Sequence, residues 1–81
     1  MSRYRLQYAP PADEARRSMP PAQRSAFDAG MLDLAAAPYG MGSAPVKDDP
    51  DRREATVSDV VVRYYVSNAV LTVTVVRVIY F

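Results

Sequence analysis

The chain has 81 residues, enough for one domain with a single modest core. It contains no cysteine and no histidine, which excludes disulfides, thiolate metal sites and every catalytic mechanism that needs an imidazole. The net charge of +1 gives no global signature of nucleic-acid binding, and no run of about 20 apolar residues predicts a membrane span. The first residues alternate polar and apolar and do not resemble a signal peptide. We expect one cytoplasmic domain over residues 1–81, without a metal or other cofactor.

The N-terminal part of the chain is predicted to form one strand and two helices. Residues Arg3–Tyr8 alternate between polar and apolar side chains, the period of a half-buried strand. A short helix is expected over Ala12–Ser18, with acidic residues in its first turn and arginines in its last turn. A second helix is expected over Pro21–Ala36. Its apolar positions follow the helical period and are Phe27, Met31 and Leu34.

The middle of the chain carries the residues that usually form loops. Residues 38–52 contain three prolines, two glycines and a run of acidic residues. We expect a flexible loop there, with one short strand possible around Ala44–Val46. A loop of this length in a small domain indicates either function or disorder.

The C-terminal part is predicted to consist of β-strands. We expect strands over Glu54–Val57, Val60–Val66 and Val70–Phe81. Ser58–Asp59 is predicted to form a tight turn between the first two. The turn before the last strand is expected over Ser67–Ala69, with Asn68 suited to the left-handed conformation.

The alternation of side chains along these strands predicts two different faces. If Val60, Val62, Tyr64 and Val66 pack against the helices, then Val61, Arg63 and Tyr65 point to the open face. The last strand is apolar on both sides, which is typical of a central strand. On one side it carries Leu71, Val73, Val75 and Ile79, and on the other Val70, Val76 and Val78. We nevertheless expect Arg77 to reach the open face beside Arg63.

Two segments carry a resemblance to a known family. These are Leu34-Ala-Ala-Ala-Pro38 at the end of the second helix, and Val57-Ser-Asp-Val-Val-Val-Arg-Tyr64 in the predicted hairpin. In this order of elements they resemble the RelE/ParE superfamily of bacterial toxins from toxin–antitoxin pairs. The second segment is similar to the V-G-D-Y-R-V-x-Y-x-V hairpin of that family. The resemblance implies an α+β fold, in which a helical hairpin covers one face of a curved mixed sheet and the first strand runs beside the last.

The resemblance also implies partners and an activity. It implies a cognate antitoxin that wraps the toxin as an extended, partly helical segment. Members similar to RelE cut messenger RNA on the ribosome, whereas members similar to ParE act on DNA gyrase. In this sequence Val61 stands where the nuclease pattern has an arginine, and the chain reaches Ile79-Tyr80-Phe81 where the pattern has basic residues or histidine.

We expect the chemistry of such a site to depend on arginine and tyrosine. The candidate catalytic residues are Arg63, Arg77 and Tyr80. The candidate RNA-binding residues are Arg52, Arg53, Tyr65 and Lys47. Planar guanidinium groups bind phosphate, and aromatic rings stack on unpaired bases. The competing interpretation is that these arginines keep an open sheet face solvated or pair with an acidic antitoxin, and that Glu54 is a surface ion-pair partner of Arg52 or Arg53.

Three hypotheses follow for the function. The first is a toxin of a type II toxin–antitoxin pair that acts as a ribosome-dependent mRNA endoribonuclease. The second is a catalytically inactive domain of the same fold that binds proteins. The third is a toxin directed at gyrase. A homodimer or a heteromeric complex is expected, because the core is small and the strand faces are apolar.

Overall fold

The computed structural model describes residues 4–40 and 42–79. The elements in chain order are β1 (Arg5–Tyr8), α1 (Pro10–Arg17), α2 (Pro21–Ala36), β2 (Ser43–Val46), β3 (Asp49–Val57), β4 (Val60–Ser67) and β5 (Thr72–Ile79). The strands form one sheet in the order β1-β5-β4-β3-β2. β1 runs parallel to β5, and the other neighbours are antiparallel. The predicted α+β class, the mixed sheet and the pairing of the first strand with the last are confirmed. No helix in these two ranges is long and apolar enough to cross a membrane.

Both helices begin at prolines. α1 starts at Pro10, two residues earlier than expected, because a proline is well suited to the first turn, where its missing N–H has no partner to lose. α2 has the bounds that the sequence predicts. A bidentate ion pair ties the helices together, with Arg16 Nε and Nη2 donating to the carboxylate of Asp28 at 2.7 and 2.8 Å.

The core lies between the helices and one face of the sheet. Its largest fully buried side chains are Phe27 and Met31 from α2, Val60, Val62, Tyr64 and Val66 from β4, and Val73 and Val75 from β5. The predicted inward face of β4 is therefore confirmed. Tyr4, Leu6 and Tyr8 pack against this core without being fully buried. Close packing requires a small residue in α2, since a Cβ built on Gly30 would lie 2.5 Å from Cγ1 of Val57.

Two strands occupy much of the segment that was expected to be a loop. The short strand near Ala44–Val46 is present as β2, but β3 begins at Asp49, five residues before the expected start. Lys47 and Asp48 connect them in a two-residue turn, with φ of 53° and 64°. Positive φ at both positions is typical of the tight hairpin turn whose twist matches the flanking strands.

The prolines of this segment are compatible with strands because of where they lie in the sheet. Pro45 lies in β2, which is the edge strand of the sheet. Pro50 lies in a bulge, because the register passes from the pair Pro45 and Arg53 directly to the pair Val46 and Asp49. Edges and bulges are where a strand can accept a residue that donates no hydrogen bond.

The two turns of the C-terminal meander differ. Ser58 and Asp59 form the expected tight turn and have φ of 50° and 66°. The connection between β4 and β5 is longer than expected, since β5 begins only at Thr72. Leu71, and not Asn68, adopts the left-handed conformation there, with φ of 49°.

A bulge in β5 changes the face on which its last residues lie. Tyr64 pairs with Val75, but the preceding residue Arg63 pairs with Arg77, so Val76 is an extra residue in the ladder. Strict alternation would place Arg77 on the same side as the buried Val73 and Val75. After the bulge, Val78 packs against the core, so the expected grouping of Ile79 with Val73 and Val75 is wrong.

Candidate nucleic-acid interface

The face of the sheet that the helices leave open contains a cleft of about 730 Å³. β3, β4 and β5 supply its floor, and the β2–β3 hairpin supplies one side. Its charged and aromatic lining residues are Asp49, Arg52, Arg53, Arg63, Tyr64, Tyr65 and Arg77. Five of the seven residues proposed from the sequence line this cleft, which makes it the candidate site.

A row of three charged residues on neighbouring strands crosses the open face, and two of them, Arg63 and Arg77, line the cleft. Glu54 on β3 is directly opposite Arg63 on β4, and Arg63 is directly opposite Arg77 on β5. Arg63 Nε donates a hydrogen bond of 2.8 Å to Glu54 Oε1. The expectation that Glu54 pairs with Arg52 or Arg53 is therefore wrong. Two like charges directly opposite each other destabilise a sheet, so an anion between Arg63 and Arg77 would relieve this repulsion.

Arg77 differs from Arg52 and Arg63 because it has no acidic partner within residues 4–40 and 42–79. Next to it the bulge exposes Val76, which is 46% accessible. Tyr65, the neighbour of Arg63 two positions along β4, is 44% exposed and also lines the cleft. A free guanidinium, an exposed ring and an apolar side chain together can contact the phosphate and the base of a nucleotide.

The remaining predicted RNA-binding residues lie at the side of the cleft. Arg52 is opposite Tyr65 and lines the cleft, where its Nε lies 3.7 Å from Asp49 Oδ2. This pair is largely exposed, so its net energy is small. Lys47 is exposed in the turn that joins β2 to β3, between the lining residues Val46 and Asp49.

Arg53 does not join the cluster of Arg63 and Arg77 that the sequence predicts. It is opposite the buried Tyr64, so alternation places its side chain on the helical side of the sheet. Its guanidinium donates to Ser43 Oγ at 3.0 Å, to the Ser43 carbonyl at 3.3 Å and to the Pro50 carbonyl at 3.0 Å. It also lies 5.4 Å from the ring centre of Tyr39. These contacts brace the β2–β3 hairpin and with it the side of the cleft.

A chain of hydrogen bonds at one end of the sheet was not predicted from the sequence. Tyr4 Oη donates to Asn68 Oδ1 at 2.6 Å, and Asn68 Nδ2 donates to Tyr39 Oη at 3.0 Å. Tyr39 Oη in turn donates to Asp51 Oδ1 at 2.8 Å. Partial burial and the bond to Asp51 raise the pKa of Tyr39. No sequence signal identifies this chain, because its members come from four separate parts of the molecule.

Two further positions bear on catalysis. Val61 lies on the open face opposite Ile79, as the alternation of β4 requires, so the two form an apolar pair there. Tyr80, the third candidate catalytic residue, lies outside the described residues. The described cleft therefore offers Arg63 and Arg77 as its central cations.

The order and pairing of the elements also match solved structures over nearly the whole chain. A chain in the RelBE2 toxin–antitoxin complex of Mycobacterium tuberculosis superposes with a TM-score of 0.84 at 19% identity, covering 100% of this chain and 94% of that one. The chain has the RelE fold. The archaeal RelE–RelB complex of Pyrococcus horikoshii gives a TM-score of 0.80 at 18% identity, covering 96% of this chain and 94% of that one. The isolated RelE toxin of E. coli gives 0.80 at 16% identity, covering 95% of this chain and 83% of that one.

Similarity at the level of sequence is much weaker than this agreement in fold. No protein-family model matches the sequence, and no curated protein has significant similarity to it. The RelE fold is thus established from the backbone, while the assignment of function depends on the cleft.

Proposed function

We propose that this protein is a RelE/ParE-like toxin of a type II toxin–antitoxin pair and that it acts on messenger RNA at the ribosome in the cytoplasm. The observation that supports this best is the direct opposition of Arg63 and Arg77 on the open face, beside the exposed ring of Tyr65. A phosphodiester bound between the two guanidinium groups would receive several charge-assisted hydrogen bonds.

The residues of the cleft favour RNA over DNA as the substrate. The chain has no histidine or cysteine, so the cleft offers no imidazole or thiol. RNA brings a nucleophile in its own 2′-hydroxyl group, so the protein need not supply one. Attack of the 2′-oxygen on the adjacent phosphorus would form a 2′,3′-cyclic phosphate and break the bond to the 5′-oxygen of the next nucleotide, while water accepts the proton of the 2′-hydroxyl and protonates the leaving oxygen. The protein then has to orient the scissile phosphate and stabilise the negative charge of the transition state, which is the role proposed for Arg63 and Arg77. Tyr65 and Arg52 would hold the adjoining base and phosphate, and Lys47 and Tyr80 would extend the contact.

An antitoxin is the proposed protein partner. The structures with the same fold include RelE–RelB and RelBE toxin–antitoxin complexes. In this protein the open face presents three arginines in one cleft, and an acidic or partly helical segment laid across it would neutralise them and exclude RNA.

Controlled expression in a bacterial host tests the proposal. Growth, bulk translation and plasmid supercoiling are followed together after induction of the wild type, Arg63→Ala, Arg77→Ala and the control Arg24→Ala. Arg24 lies in the first turns of α2, where it donates to the Arg17 carbonyl and does not line the cleft. We expect translation to stop in cells that express the wild type or the control, and to continue with either cleft variant. Each of the two phosphate contacts should be worth about 10² to 10³ in rate.

The pair of Val61 and Ile79 favours a second candidate, a catalytically inactive protein-binding module of the same fold. Harmless expression of the wild type, with translation and supercoiling unchanged, would support this module and end the toxin proposal. A loss of negative supercoiling while translation continues would instead indicate a gyrase-directed toxin.

A further inference from the structure

We propose that Glu54 is a built-in competitor of the phosphate ligand, which holds Arg63 in the empty cleft and sets how strong an anion must be to enter. This inference rests on the RNA-binding function proposed above. It assigns a role to an acidic residue that contacts a cleft arginine beside a site suited to a polyanion.

The geometry of the contact indicates competition. Glu54 and Arg63 are cross-strand partners, and their side chains are 41% and 45% exposed, so both remain accessible to solvent on the open face. The bond from Arg63 Nε to Glu54 Oε1 uses one edge of the guanidinium. A phosphate that bridges Arg63 and Arg77 would bring its charge beside the Glu54 carboxylate. Repulsion would then favour the exchange of one anion for the other on Arg63.

The neighbouring residues show why the two arginines would differ in role. Arg77 has no acidic partner in the described part of the chain, so it can receive a phosphate at once. Arg63 meets a phosphate with Glu54 already bound to one of its edges, so its full set of donors becomes available only when that bond is exchanged. Because an exposed ion pair is weak, a phosphodiester held by Arg77 is sufficient to displace it, whereas an anion that Arg77 does not hold is not.

Binding of a fluorescein-labelled single-stranded RNA of about 12 nucleotides, measured by fluorescence anisotropy at about 0.1 M salt, tests this inference. Glu54→Gln keeps the length of the side chain and removes its charge. Glu14→Gln is the matched control, since Glu14 is exposed on α1 and lies outside the cleft. We expect Glu54→Gln to tighten binding about two- to fivefold, the range that corresponds to an exposed ion pair. The control should leave binding within the error of the wild type.

A double-mutant cycle separates competition from a general change of surface charge. In an Arg63→Gln background, Glu54→Gln should lose most of its effect, because the carboxylate no longer has a cation to occupy. An equal gain in both backgrounds would show a general charge effect and overturn the inference, as would weaker binding by Glu54→Gln alone. If the wild type and Glu54→Gln both fail to bind the RNA, the proposed RNA-binding function fails and the inference with it. Circular dichroism of each variant establishes that it is folded.

Discussion

Replacing Gly30 by alanine sets two opposing energies against each other in α2. Alanine favours a helix interior over glycine by about 1 kcal/mol, so the change would stabilise an unpacked helix. In this protein the added Cβ would lie 2.5 Å from Cγ1 of Val57. Ordinary contact between carbon atoms needs about 3.5–4.0 Å, so either the helix or β3 must move by about 1 Å.

The cost of the clash with Val57 should exceed the gain from the higher helix propensity of alanine. Val57 is 8% exposed and belongs to the core, so it has little room to move away. Overpacking of a well-packed core costs about 1–3 kcal/mol, and a shift of this size belongs in the upper part of that range. We expect Gly30→Ala to lower the free energy of unfolding by about 1–2 kcal/mol, which lowers the Tm by roughly 4–16 °C in a domain of this size.

Thermal unfolding followed by circular dichroism measures this effect, and Val57→Ala supplies the decisive background. Truncation of Val57 removes the Cγ1 atom that the new methyl group meets, so Gly30→Ala should then raise the Tm through helix propensity alone. Ala29→Gly measures the helix-propensity difference between alanine and glycine without a packing change, since Ala29 is exposed in the same turn of α2. A higher Tm for Gly30→Ala in the wild-type background would refute the reasoning, because it would mean that the packing of α2 on β3 is loose.

Two further predictions concern the pH dependence of stability and the bulge in β5. Burial and the neighbouring Asp28 carboxylate raise the pKa of Tyr8 to about 12. In the unfolded chain its pKa is about 10. Between these two pKa values the unfolded chain binds fewer protons than the folded protein, so the free energy of unfolding should fall as the pH rises from about 10 to 12. Urea titrations should show a smaller fall for Tyr8→Phe. Deleting either Val76 or Arg77 should remove the bulge from β5. The Val76 deletion leaves Arg77 opposite Arg63, and the Arg77 deletion leaves Val76 there. The Val76 deletion should retain RNA binding. The Arg77 deletion should weaken RNA binding and lower the salt dependence of the affinity by about one phosphate contact. Equal binding by the two deletions would exclude Arg77 as a contact.

The elements with a strong period were predictable from the sequence. α2 was found with its bounds because apolar residues recur at the helical spacing and a proline follows it. The Ser58–Asp59 hairpin was found because two β-branched strands flank two small polar residues. In both cases the local pattern and the tertiary packing favour the same structure, so neighbouring elements did not have to be known.

The features that the sequence did not predict depend on contacts between strands. β3 was expected to begin at Glu54, because prolines and acidic residues usually form loops, yet a bulge and an edge position accommodate Pro50 and Pro45. Arg53 was expected to cluster with Arg63 and Arg77, but cross-strand pairing with Tyr64 places it on the helical side. Neither the bulge nor the pairing leaves a local signal, since each is defined by a partner strand.

The placement of Arg77 in the cleft depends on one irregularity in a central strand. Without the bulge, Val76 would pair with Arg63 and Arg77 with Val62, which is fully buried, and an unpaired guanidinium there would be strongly destabilising. The bulge avoids this cost and turns Arg77 to the open face opposite Arg63. The same irregularity returns Val78 to the core, so one extra residue satisfies the packing of one face and assembles the charged row of the other. Bulges are concentrated near functional sites for this reason: they re-aim a side chain while the rest of the strand keeps its packing.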